Sequence, residues 1–189
     1  MINKTNSHVN FGAKFIKKVN IKKFDKLTNE FKPIEASFVK FDPKNKEDLA
    51  AISSAVDRWE GQFFAKSIAD HASKMQSSEL TQRHNQIYLL SSQKDNFENL
   101  EPSKILGMAK TEHWKHTPDE IRYFETKPDI KHSQKDRTIK DVGKAMIESL
   151  KELYPKRIEL TSSTSAADFY KNQGFKLIDE ACLRYRWDG

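Results

Sequence analysis

The chain is expected to be an α/β (α+β) protein with a mixed, mostly antiparallel central sheet of about six or seven strands and helices on both faces. Three observations lead there. Residues 86–128 hold three strand-like runs separated only by turns, the mark of antiparallel neighbours. TIKDVGKAMIESLKELY (138–154) has one clear apolar face and is followed at once by another strand-like run, as in a crossover from one strand to the next. Two further helical segments precede the first of these strands, so helices are available for both faces.

The elements follow in order. Lys18, Val19, Asn20, Ile21 and Lys22 alternate with period two, so a strand within 14–24 is possible, with Asn20 weakening it. EASFVKF (35–41) alternates more cleanly and is closed by Pro43. KEDLAAISSAVDRW repeats apolar residues at 49, 52, 56 and 59, a helical spacing, until Gly61. FFAKSIADHASKM (63–75) places Phe64, Ile68 and Ala72 four apart and reads as a second helix. QIYLLSS, KILGMAKTEHW and EIRYFETKP are the three strands, the last stopped by Pro128. In the 138–154 helix, Val142, Ala145, Met146, Ile147, Leu150 and Leu153 form the apolar stripe, and Thr138 with Asp141 resembles a capping box. KRIELTSS is a strand, SAADFYKNQG a helix capped by Ser165 and ended by Gly174, and FKLIDE and CLRYRWD are the last two strands.

A chain of 189 residues suits one domain with an arm. Apolar residues are 37% and charged residues 32%, polar but not so poor in apolar side chains as to leave the chain unfolded. No run approaches a membrane span, and the N-terminal stretch lacks an apolar signal core, so a cytoplasmic protein with no membrane partner is expected. Cys182 is the only cysteine, which excludes an internal disulfide; in an alternating run it is expected to be a buried thiol. The net charge of +6 is uneven: residues 1–46 carry eleven lysines against four acids, and the rest of the chain is close to neutral. Residues 1–33 are therefore read as a basic arm, partly disordered or an extra strand, and residues 34–189 as the domain. The bland account of the arm is a solvated lysine-rich segment; the sharper one is a nucleic-acid contact, weakened because Phe11, Phe15 and Phe24 are its only aromatics before residue 31.

The order of elements and three local motifs resemble the GNAT superfamily of acetyltransferases over roughly residues 34–189. The first motif is SAADFYKNQGF, where Ala166, Phe169, Tyr170, Gly174 and Phe175 fall in the family's register. The second is FETKP followed by a loop and a helix opening near a glycine, VGKAMIESL. The third is RIELTSS, the strand joining the two helices. The family's phosphate signature, (Gln/Arg)-x-x-Gly-x-(Gly/Ala), reads here as Thr138, Asp141 and Gly143, with Arg137 one residue upstream. Residues 129–137 look like an insertion relative to the family.

What the resemblance implies is an acetyl-CoA-dependent N-acetyltransferase acting on a primary amine by direct transfer, with a homodimer possible. Its co-substrate would lie against Phe124 and Thr126 on the strand, Arg137, Lys140, Asp141, Val142, Gly143, Lys144 and Ala145 at the helix start, and Ser163, which stands seven residues before the tyrosine where the family often has asparagine. A helix N-terminus presents unpaired N–H groups and a positive dipole end, which suits a pyrophosphate. Asp141 would repel that anion unless its side chain turns back to cap the helix. Thr126 would offer its amide to the acetyl carbonyl, and Tyr170 would protonate the departing sulfur. Glu125 is the candidate base, with a solvated carboxylate as the plainer account and a water chain as the family's other route. Strand alternation sets Tyr123 and Glu125 on one face and Phe124 and Thr126 on the other. His113 and His116 could form a metal pair, but no third ligand is legible, so no metal is expected. Two other functions stay open: a non-catalytic protein of the same fold, and a nucleic-acid binder working through the basic arm.

Overall fold

The computed structural model describes residues 12–131 and 136–189. Nine strands form a single sheet: β1 (Lys14–Asp25), β2 (Glu30–Lys40), β3 (Asn85–Ser91), β4 (Ile105–Glu112), β5 (Asp119–Thr126), β6 (Ile139–Lys140), β7 (Ile158–Thr161), β8 (Lys176–Asp179) and β9 (Arg184–Trp187). Their spatial order is β6-β1-β2-β3-β4-β5-β7-β9-β8. Every neighbouring pair is antiparallel except β5 with β7, which is parallel. The helices are α1 (Lys46–Arg58), α2 (Phe63–Ser77), α3 (Glu79–His84), α4 (Val142–Leu153) and α5 (Ala167–Asn172).

The sheet exceeds the expected six or seven strands because the N-terminal region contributes more than its alternation showed. β1 runs twelve residues through Asn20 and pairs along its length with β2. A polar side chain is tolerated there because it points to solvent, while Ile21, its neighbour, is 1% exposed. Residues 1–11, including Phe11, lie outside the described residues. The second addition is β6. Residues 138–140, read as the first turn of a helix with Thr138 as cap, are instead extended. Ile139 and Lys140 pair with Lys23 and Lys22 of β1, and the Phe24 N–H donates to the Thr138 carbonyl at 2.7 Å.

Two cores flank the sheet. On one face α4 buries Val142, Ala145, Met146, Ile147 and Leu150 against Phe38, Leu90, Leu106, Ala109 and Leu160, with Tyr170, Phe175 and Tyr185 completing the cluster. Each fully buried aliphatic side chain here is worth about 1.5–3 kcal/mol of transfer free energy. Leu153, expected on this stripe, is in the last turn and is 38% exposed. On the other face α1 and α2 bury Ile52, Val56, Trp59, Ile68 and Met75 against Val39, Ile87, Leu89 and Met108. Asn45 caps α1 by accepting from the Glu47 and Asp48 N–H groups.

The C-terminal assignments need two corrections. Ser165 does not cap a helix: residues 164–166 are a turn of 3₁₀ helix, α5 starts at Ala167, and the Ser165 hydroxyl meets the Ser163 hydroxyl at 3.1 Å. Cys182 is exposed, because residues 180–183 form the turn between β8 and β9 and the alternation that suggested a strand begins only at Arg184. No helix among the described residues is long and apolar enough to cross a membrane.

Candidate functional site

A wedge in the sheet gathers most of the candidate residues. β5 and β7 pair through Asp119–Ile158, Glu120–Glu159 and Ile121–Leu160, and no further. At Arg122 a bulge shifts the register of β5 against β4. Beyond it β5 stays with β4, while β7 stays with β9, so the two parallel neighbours part along Tyr123–Thr126. The Lys127 N–H donates to Leu106 of β4 at 2.9 Å. By the alternation of an antiparallel ladder, the N–H groups of Phe124 and Thr126 then point away from β4, into the wedge. A row of backbone donors is thus left open along one lip.

The side chains of that lip alternate as expected. Tyr123 packs on the α1–α2 core and Phe124 on the α4 core, where its ring lies 6.3 Å from that of Phe169. Glu125, on the Tyr123 side, is not solvated: its residue is 9% exposed and its carboxylate pairs with Lys131 at 3.1 Å. The Lys131 ammonium also donates to the Gln62 side-chain oxygen at 3.1 Å, joining β5 to the turn ahead of α2. Neither Lys131 nor Gln62 carries a signal in the sequence, since their meeting depends on residues 69 positions apart.

Tyr170 of α5 lies near the same lip: its ring packs on Phe169, which faces Phe124, and it feels the charge of Glu125. Its ring is buried among Phe169, Phe175 and Tyr185, and the residue is 7% exposed. Among the described residues its hydroxyl makes no hydrogen bond. Burial pushes its pKa well above the usual tyrosine value, and the nearby charge of Glu125 pushes the same way. The group therefore carries its proton at any ordinary pH and can give it to a base or developing anion.

The opposite end is the start of α4. The first bond of the helix runs from the Ala145 N–H to the Asp141 carbonyl at 2.9 Å, so the N–H groups of Val142, Gly143 and Lys144 lack intrahelical partners. Asp141 precedes them with φ 69° and ψ 9°, a left-handed conformation, and its side chain makes no cap. The expected capping carboxylate points instead at Lys22 of β1, 3.3 Å away. Asp141 thus holds, at some steric cost, the backbone shape that glycine adopts freely. An added Cβ on Gly143 would lie 3.2 Å from Phe169 and 3.8 Å from Phe124, so this glycine lets the helix start sit directly on the aromatic pair.

The remaining candidates divide. Arg137 forms no ion pair among the described residues. Lys144 pairs loosely with Glu148 at 3.7 Å, and Ala145 is buried beneath the helix. Lys140 turns from the helix start to lie over the Phe31 ring, 3.7 Å from its centre. Ser163 stands just beyond β7 on the second lip. His113 is engaged elsewhere: its Nδ1 meets Asp119 at 2.6 Å and its Nε2 meets the Tyr154 hydroxyl at 2.9 Å. A cavity of about 840 Å³, lined by Ala13, Phe41, Met75, Gln82 and Phe97 among others, shares no residue with the wedge.

No family model matches the sequence, and no curated protein matches it. Solved structures do. The fold is shared with a protein assigned to the GNAT acetyltransferase family from Desulfovibrio desulfuricans, at 15% identity over 81% of this chain and 98% of that one, with a TM-score of 0.57. It is shared with a GNAT-family acetyltransferase from Staphylococcus aureus at 14% identity over 81% and 98%, TM-score 0.53. GCN5 of Tetrahymena matches at 10% identity over 76% of this chain and 89% of its own, TM-score 0.51.

Proposed function

We propose, for a chain with the GNAT acetyltransferase fold, that it is an acetyl-CoA-dependent N-acetyltransferase passing an acetyl group directly to a primary amine. The observation that carries this is the wedge: one opening in the sheet has an uncapped helix start at one end and a buried, protonated tyrosine at the other. The residues present fit the co-substrate. Three free N–H groups at Val142–Lys144 can receive a pyrophosphate, with Arg137 and Lys144 as cations near it. The Lys22 pair offsets the charge that Asp141 would otherwise set against a phosphate.

In this reading the Thr126 amide, open to the wedge, donates to the acetyl oxygen as it gains charge. The Tyr170 hydroxyl supplies the proton that the departing thiolate needs. Glu125 lies on the lip beside Thr126 and is the carboxylate placed to receive a proton from the amine, directly or through water. The basic arm supports a nucleic-acid reading less well, because several of its lysines are already matched to acids: Lys17 to Glu152, Lys18 to Glu35, Lys22 to Asp141 and Lys32 to Asp25.

Thermal denaturation with and without acetyl-CoA tests the proposal, because a ligand of the native state alone raises Tm. A rise at micromolar to millimolar ligand is expected, followed by CoA release when amines are supplied. An unchanged Tm at millimolar acetyl-CoA would reject the reading and leave a protein that uses the fold for another purpose.

A further inference from the structure

We infer that the Lys131 amine is itself an acetyl acceptor, so that the chain acetylates its own Lys131 at the mouth of the wedge; this rests on the acetyltransferase reading above. The inference comes from how four lysines around the wedge are disposed. Lys127 pairs with Asp129 at 2.8 Å, Lys140 lies over the Phe31 ring, and Lys144 leans toward Glu148. Lys131 alone among them reaches Glu125, the carboxylate one residue from the Thr126 amide.

The turn that follows β5 holds it there. Ile130 is buried in the α4-side core, whereas the next side chain crosses to the α1–α2 side and is fixed between Glu125 and Gln62 at 3.1 Å from each. An ammonium is therefore parked where an incoming primary amine would have to meet the candidate base. Its side chain is 30% exposed, so solvent reaches it, while its position is already restricted by two acceptors. Restricting a nucleophile beside its target replaces an encounter with a local step, and this is the largest advantage an internal acceptor has.

The step balances with acetyl-CoA as the acyl donor. The Lys131 ammonium loses one proton, to Glu125 or to water, and its neutral nitrogen attacks the thioester carbonyl. A C–N bond forms and the C–S bond breaks. The sulfur takes the Tyr170 proton, and the nitrogen releases its second proton, which restores the tyrosine through solvent. The products are acetyl-lysine, CoA thiol and one net proton. Acetyl-lysine carries no charge, so Glu125 loses its internal cation and becomes available to an external amine.

The test incubates the purified chain with acetyl-CoA alone, follows intact mass, and maps the modified peptide. Expected is one acetyl group per chain, on Lys131, formed at a rate independent of protein concentration. Lys131→Arg should abolish it while the Tm rise with acetyl-CoA persists, and Glu125→Gln should slow it by about tenfold or more. A Tm rise with Lys131 acetylated no faster than in the urea-unfolded chain overturns this inference and leaves the acetyltransferase reading standing. So does a rate that grows with protein concentration, which marks transfer between molecules. No Tm rise overturns both.

Discussion

The two ends of the wedge reach a working shape by different means. At the Tyr170 end, shape follows from packing: an aromatic ring is buried among three others, and its hydroxyl has no partner among the described residues. At the α4 end, shape depends on a contact with a distant hairpin. Asp141 takes a left-handed conformation while Lys22 holds its carboxylate and β6 pairs with β1. The first arrangement uses residues close in sequence, and a motif can carry it. The second substitutes long-range pairing for a glycine, and no local motif survives the exchange.

The largest expected effect separates chemistry from binding. Tyr170→Phe keeps the buried ring and removes the proton, so turnover should fall about hundredfold while acetyl-CoA affinity, measured by calorimetry, stays within about twofold. Equal losses in both would mean that Tyr170 serves packing alone.

The next prediction strikes the α4 end and the β5 lip together. Gly107 of β4 lies opposite Thr126 and beneath α4, and a Cβ there would run into Met146 Sδ and come within 3.2 Å of Val142. Gly107→Ala should lower stability by about 1–3 kcal/mol in urea titration and weaken acetyl-CoA binding, with Met146→Ala restoring part of the loss.

A change away from both ends moves stability without touching the wedge. Asp48 is fully buried in α1, and burial raises its pKa from 3.8 to about 7; the Asp42 N–H donates to one of its oxygens at 3.2 Å. Between those values the native chain holds a proton that the unfolded chain has released. This contribution to stability is complete below pH about 4 and is lost as pH rises through 7. Asp48→Asn should flatten that dependence and stabilise the protein by about 1–2 kcal/mol at pH 8, with little change at pH 4.

The smallest effects probe the exchange at Asp141. Asp141→Gly removes a carboxylate near the expected phosphates and relieves the left-handed backbone, so acetyl-CoA should bind about threefold to fivefold more tightly. Lys22→Ala leaves that carboxylate uncompensated and should weaken binding about threefold, but only when Asp141 is present. Additive effects in the double variant would show that the two side chains act apart.

The helices at 46–59 and 63–75 and the strands from 86 to 128 were legible because amphipathic periodicity reports directly which side chains a segment must bury. The alternation of Phe124 and Glu125 was legible for the same reason. Legibility failed where polar side chains carry the structure: Asn20 sits in a full strand, residues 138–140 are extended rather than helical, and Cys182 is in a turn. Period-two and period-3.6 patterns both depend on apolar burial, so they say little about segments held by backbone pairing or by turns.

The sequence by itself determined the layered α/β architecture, the apolar face of α4 and the placement of Tyr170 one turn before Gly174, because each depends on residues within a few turns of one another. Tertiary structure alone decided that β5 and β7 part after Ile121, that Glu125 is buried against Lys131 and Gln62, and that Asp141 answers to Lys22. Those are contacts between side chains far apart along the chain. Their energy depends on distance in space, which local patterns of residue type do not encode.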